Sequence, residues 1–146
     1  MEELVRDPAF HTYAVCCAIL GLKVIFSAFY TGAQRQKAQG YINSEDAMVF
    51  GNPGTSAGSM EASSVDHGLR IQRNDAENVP TFYALGLVYV LSGASPTGAF
   101  WYCWTYTIAR LLHTVMYINH RQPHRAICFV MGVLCQVGMA VSILIG

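Results

Sequence analysis

The chain has 146 residues, the length of one domain; 53% are apolar and only 12% charged, against roughly 25% charged in an average soluble domain. Nine basic and nine acidic residues cancel to a net charge of zero, which excludes a general attraction to nucleic acid. No acidic residue follows Glu77, yet Arg110, Arg121 and Arg125 do, so the second half is a cationic apolar block that takes its anions from the first half or from a ligand.

Met1 to Pro8 is short and acidic, with Glu2, Glu3 and Asp7, and lacks the basic start of a cleaved signal peptide. A first membrane span follows over 10–32, interrupted by His11 and Lys23; we read it as a retained signal anchor. Lys23 lies too deep to reach the interface and needs an acidic partner inside a bundle. Residues 33–69 are the only long polar segment. Arg35 and Lys37 flank the end of the first span, Asn43-Ser44-Glu45-Asp46 resembles a helix N-cap or turn, and Gly51 to Ser59 is a flexible linker by composition.

The second span is expected over 70–92. Its uncharged part, Val79 to Gly93, is shorter than the ~20 residues a helix needs to cross a bilayer, so the span recruits the charged turns before it. In a helix Arg70, Arg73, Asn74 and Glu77 fall at i, i+3, i+4 and i+7 and share one face. Charges at that boundary are a functional hypothesis by default. Pro80 removes a backbone donor and is expected to kink this helix.

A third span over 99–119 opens on Trp101, Tyr102 and Trp104, an interfacial aromatic belt. Arg110, His113 and Tyr117 share one of its faces. A basic turn with Pro123 leads to a fourth span over 126–145, whose Gly132, Gly138, Ala140 and Ser142 suit close helix packing. The fold class is therefore all-α, an integral membrane four-helix bundle. Arg35, Lys37, Arg121 and Arg125 put the loops on the cytoplasmic side and both termini in the lumen or exterior. Cys16, Cys17, Cys103, Cys128 and Cys135 all lie in apolar runs without a C-x-x-C pair and read as buried thiols. His120 and His124 stand four apart, but Pro123 breaks the helix between them, so no metal site is expected.

Three elements converge at similar depth: Arg35, the Arg70/Arg73/Asn74/Glu77 face, and His113/Tyr117/Arg125 around the last turn. Guanidinium forks match carboxylates and Glu77 matches an ammonium, so the set suits a small anion with two carboxylates and one amine. An apolar co-substrate would dissolve in the bundle beneath. The plain alternatives are a helix cap with surface ion pairs for the Arg70 face, a structural Asp75–Arg110 pair, a hydrogen-bonded bundle histidine for His113, and an interface anchor for Tyr117.

The run Arg70-x-x-Arg73-Asn74-Asp75-x-Glu77-Asn78 before an apolar span resembles the signature of the MAPEG family, small four-span membrane proteins of eicosanoid and glutathione metabolism. Further matches are Lys23 before Thr31-Gly32, Arg35, the Asn43–Asp46 turn, Ala109-Arg110-x-x-His113-Thr114-x-x-Tyr117 and Gln122-Pro123-x-Arg125, so the resemblance covers about Ala9 to Leu144. It implies a homotrimer of the endoplasmic reticulum membrane that binds glutathione between subunits, together with a hydrophobic, lipid-soluble substrate. Arg35, Arg70, Arg73, Asn74 and Glu77 would come from one subunit, and His113, Tyr117 and Arg125 from its neighbour.

Arg125 matches the arginine held to sit near the thiol, and Tyr117 and Asp46 complete the implied catalytic set. The implied activity is conjugation of glutathione to hydrophobic electrophiles, with peroxidase activity open to the same thiolate. The alternative is glutathione-dependent isomerisation of prostaglandin H2, and a second is a non-catalytic arachidonate-binding protein. Ala126 and Phe129 stand where the prostaglandin synthases resemble one another in having serine and tyrosine, Gln72 replaces a usual histidine, and Pro80 falls one residue early. The Gln122-Pro123-x-Arg125 turn and the missing serine and tyrosine lean toward the transferase.

Overall fold

The computed structural model describes residues 6–41, 43–52 and 63–146, and all regular structure among them is helical. Five helices are delimited there: α1 (Pro8–Ala38), α2 (Ser44–Phe50), α3 (Ser63–Leu91), α4 (Pro96–Ile118) and α5 (His124–Ile145). Two of them start with the same device. Asp7 precedes Pro8 and its Oδ1 accepts from the backbone N–H of Ala9 at 2.6 Å. Ser95 precedes Pro96 and its Oγ accepts from Gly98 N–H at 3.1 Å. A polar cap followed by proline at the first helical position satisfies one end donor and removes another.

α1 and α4 also end alike. Gln39 and His120 adopt positive φ of 50° and 54°. Behind them the Gly40 N–H donates to Arg35 O at 3.1 Å and the Arg121 N–H to Met116 O at 2.9 Å. This is the closure usually completed by glycine. The linker expected over 51–59 lies outside the described residues after Asn52.

The helices are longer than the expected spans. α1 runs on to Ala38 and carries Arg35 and Lys37 in its last turn, where cations suit the negative end of the helix dipole. α3 begins at Ser63 and continues through Pro80 to Leu91. The segment read as an N-cap or turn is the start of α2, with Asn43 at the cap position. α1 and α5 are long and apolar enough to cross a membrane. Large apolar side chains point outward on both, among them Phe29, Leu134 and Leu144.

The chain divides into two compact units, one formed by the described residues of 1–23 and 76–146, the other by those of 24–75. The first is held by Tyr13, Cys16 and Leu20 of α1, Val79 and Phe82 of α3, Cys103 and Tyr106 of α4, and Cys135 and Met139 of α5. Phe82 stacks flat on Tyr106 with centroids 4.2 Å apart. Tyr13 lays its ring on α3 at Gly86, where a Cβ would lie 2.8 Å from the ring, and its hydroxyl donates to Tyr83 O at 2.7 Å. All five cysteines are free thiols; four are buried and Cys17 is partly so.

In the second unit α3 presses on α1 at Gly68, where a Cβ would lie 2.7 Å from Thr31 Oγ1. Ser27 Oγ donates to Asp75 Oδ2 at 2.8 Å, and Gln72 Nε2 donates to Ser27 O at 3.3 Å. Ser27, Thr31 and Asp75 are all buried, so a polar seam joins these helices with its groups hydrogen-bonded, as low-dielectric surroundings require.

Candidate functional site

α3 has two faces around its charged turns. Gly68, Ile71 and Asp75 point inward, whereas Arg70, Arg73 and Glu77 are exposed and Asn74 is half-buried. Exposure thus separates Arg70, Arg73 and Glu77, expected with Asn74 on one face, from the buried Asp75. Arg70 pairs with Asp66 one turn earlier, Nη2 to Oδ2 at 2.6 Å, but both side chains are largely exposed. An exposed i,i+4 pair contributes at most a few tenths of a kcal/mol.

Within the 24–75 unit a groove of about 730 Å³ runs beside α1 and α2. Ile25, Ala28, Phe29 and Phe50 make an apolar wall, and Arg35 and Asp46 line the same space. Tyr41, which also lines it, donates its hydroxyl to Phe50 O at 2.9 Å and ties the end of α2 back toward α1. Arg35 and Asp46 thus share one cavity, although eleven positions and a helix boundary separate them. The groove's shape and Tyr41 are not legible in the sequence, where residues 43–46 mark a helix N-cap or turn but not how the helix lies against α1.

In the other unit Arg125 lies in the first turn of α5 and its Cζ stands 4.4 Å over the Tyr117 ring of α4. Stacking occupies the flat face of a guanidinium and leaves its N–H fork directed outward in its own plane. The positive end of the helix adds to the same field. The buried His113 ring lies 5.8 Å from Tyr117 and 6.3 Å from Phe129. His113, Tyr117 and Arg125 are therefore brought together, as an anion-favouring patch at one end of α4 and α5.

Arg110, one turn deeper, is fully buried and its Nη2 donates to Asn78 Oδ1 at 2.8 Å. Asn78, in the middle of α3, supplies this acceptor. Asn78 is a functional candidate missed in the sequence, although it closes the quoted signature.

This chain is 30% identical to the prostaglandin E synthase of Homo sapiens over 142 residues, 97% of this chain and 91% of the relative. It is 31% identical to the Macaca fascicularis prostaglandin E synthase over 139 residues, 94% and 90% of the two chains. With microsomal glutathione S-transferase 1 of Homo sapiens it shares 28% identity over 146 residues, 99% of this chain and 94% of the relative. The family model of the MAPEG family matches residues 13–145. Taken with the near-complete coverage of both kinds of relative, this match makes the chain a member of the MAPEG family.

Proposed function

We propose that this chain is a glutathione-dependent membrane enzyme that activates the glutathione thiolate for conjugation to hydrophobic electrophiles. The observation that carries the reading is the Arg125 guanidinium stacked on Tyr117 in the first turn of α5. A free thiol has a pKa of about 8.5 and is mostly protonated at pH 7; a guanidinium beside it favours the thiolate. The sulfur then attacks the electrophilic carbon, the new C–S bond forms, and the leaving group departs with its bonding pair. The thiol proton goes to solvent. The same thiolate is competent to reduce a hydroperoxide.

The exposed Arg70, Arg73 and Glu77 face fits the carboxylates and ammonium of glutathione, with Asn74, Arg35 and His113 as further contacts. An exposed cationic face binds a small anion well only when something closes over it, which favours a homotrimer in which a neighbour brings His113, Tyr117 and Arg125. The groove beside α1, with its apolar wall, suits the lipid-soluble second reactant. The setting proposed is four spans in the endoplasmic reticulum membrane, loops cytoplasmic, termini lumenal and bilayer lipid around the bundle.

Isomerisation of prostaglandin H2 is the second reading. It is favoured by Asp46, which lines the groove with Arg35 and could serve as an acid–base partner there. Ala126 and Phe129 weigh against it, since neither carries a hydroxyl. Purified protein given glutathione with a chlorinated aromatic electrophile in one arm, and with prostaglandin H2 in the other, decides between them. Turnover in the first arm alone is expected. Equilibrium dialysis with labelled glutathione tests the enzyme reading itself, because absence of saturable binding would leave only a lipid-binding protein such as the arachidonate carrier.

A further inference from the structure

Tyr106, Arg110, His113 and Tyr117 recur along α4 at i, i+4, i+7 and i+11, and Arg125, Phe129, Gly132 and Gln136 recur along α5 at the same steps. The contacts pair the two stripes in antiparallel order, one residue to one residue. Arg125 covers Tyr117 at 4.4 Å. The rings of Phe129 and His113 meet at 6.3 Å. Gly132 faces Arg110: a Cβ there would lie 3.0 Å from both Nε and Nη2. Gln136 Nε2 donates to the Tyr106 hydroxyl at 3.4 Å and, at 3.0 Å, to the backbone oxygen of Asn78.

The two deep rungs form a seat. The Arg110 guanidinium lies 5.3 Å from the centroids of both Tyr106 and Phe129. Tyr106 donates to the same Asn78 carbonyl at 2.8 Å that Gln136 uses. A slip of α5 by one helical turn, about 5.4 Å, would bring Phe129 or Gln136 into the space that Gly132 leaves for the guanidinium. A slip by one residue would turn the whole stripe away by about 100°. Register is therefore fixed at the Arg110 seat, and register decides where Arg125 stands above Tyr117.

We infer that Gly132 and Gln136 are positioning residues for Arg125: they lock α5 onto α4 around the buried Arg110 guanidinium and so set how strongly Arg125 acts on a bound thiol. The inference rests on the thiolate role proposed for Arg125. The test titrates glutathione bound to the full-length protein in detergent, following thiolate ultraviolet absorbance, beside steady-state kinetics. In the wild type the bound thiol should ionise at lower pH than free glutathione. Gly132→Ala and Gln136→Leu should each raise that pKa by about one unit, a tenfold loss of thiolate near neutral pH. The kcat should fall about tenfold while KM for glutathione stays within about twofold.

Val137→Ala, an outward position on α5, should behave as wild type. If Gly132→Ala does not yield folded protein, Gln136→Leu decides alone, because it keeps the volume and removes the donor. Variants whose bound thiol ionises at the wild-type pH, or whose loss lies in KM and not in kcat, overturn the inference. A wild-type thiol that titrates like free glutathione overturns the role of Arg125 first, and the inference with it.

Discussion

At the scale of single residues, Arg125 and Arg73 should fail in different ways. Arg125 stacks on Tyr117 and offers its fork to one small region, so its effect is concentrated where negative charge develops. Arg125→Ala should cost about a hundredfold or more in kcat, the scale of losing one preorganised charge-stabilising group, with little change in glutathione affinity by dialysis. Arg73 is exposed, on the α3 face proposed to bind glutathione; Arg73→Ala should weaken affinity by about tenfold, the worth of one charge-assisted hydrogen bond. Equal kcat and affinity in both variants would remove these residues from the site.

Helices are the scale at which the sequence was most legible, and also where it misled. Apolar runs and the 3.6-residue period marked α1, α3, α4 and α5, because a face buried against neighbours must repeat in that way. Their ends were hidden: Arg35 and Lys37 are charged and residues 63–69 mostly polar, and a helix that emerges from an apolar layer looks like loop in composition. Half of the α4–α5 ladder was visible in Arg110, His113 and Tyr117. The other half was not, since Gly132 and Gly138 read as points of close helix approach. The structure fills both gaps with side chains, the Arg110 guanidinium at one and the Tyr102 ring at the other, and a glycine carries no record of what occupies its space. Two glycines make that difference measurable. At Gly21 a Cβ would meet only the Tyr83 hydroxyl, at 3.7 Å, so Gly21→Ala should stabilise by up to about 1 kcal/mol through helix propensity. At Gly68 a Cβ would lie 2.7 Å from Thr31 Oγ1 and 3.2 Å from Thr31 Cα. Gly68→Ala should destabilise by about 1–3 kcal/mol, the usual cost of overpacking. Thermal unfolding of the two variants in one detergent should move in opposite directions.

For the whole molecule the deciding question is whether one chain holds a complete site. Arg70, Arg73 and Glu77 point outward on α3, while the Arg125–Tyr117 patch belongs to α4 and α5. If a neighbour closes each site, the contacts run head to tail around a ring, and every site takes its binding arginines from one chain and its thiolate arginine from the next. Arg73→Ala and Arg125→Ala proteins would each be impaired at all their sites. In a ring assembled from both variants, some sites must draw intact Arg73 from one chain and intact Arg125 from the other. Random mixing at equal amounts makes these about a quarter of all sites, by the statistics of a heterologous ring. Assayed at glutathione far below saturation, where the Arg73→Ala defect is expressed, coexpression should therefore recover about a quarter of wild-type turnover. Mixing the two proteins after separate purification, in a detergent that prevents subunit exchange, should give only the average of the two variants. A site contained in one chain predicts the opposite pattern, because every chain would carry one lesion and no combination of subunits could restore activity. Turnover of the coexpressed pair no higher than the average of the two variants would thus exclude a site shared between neighbours.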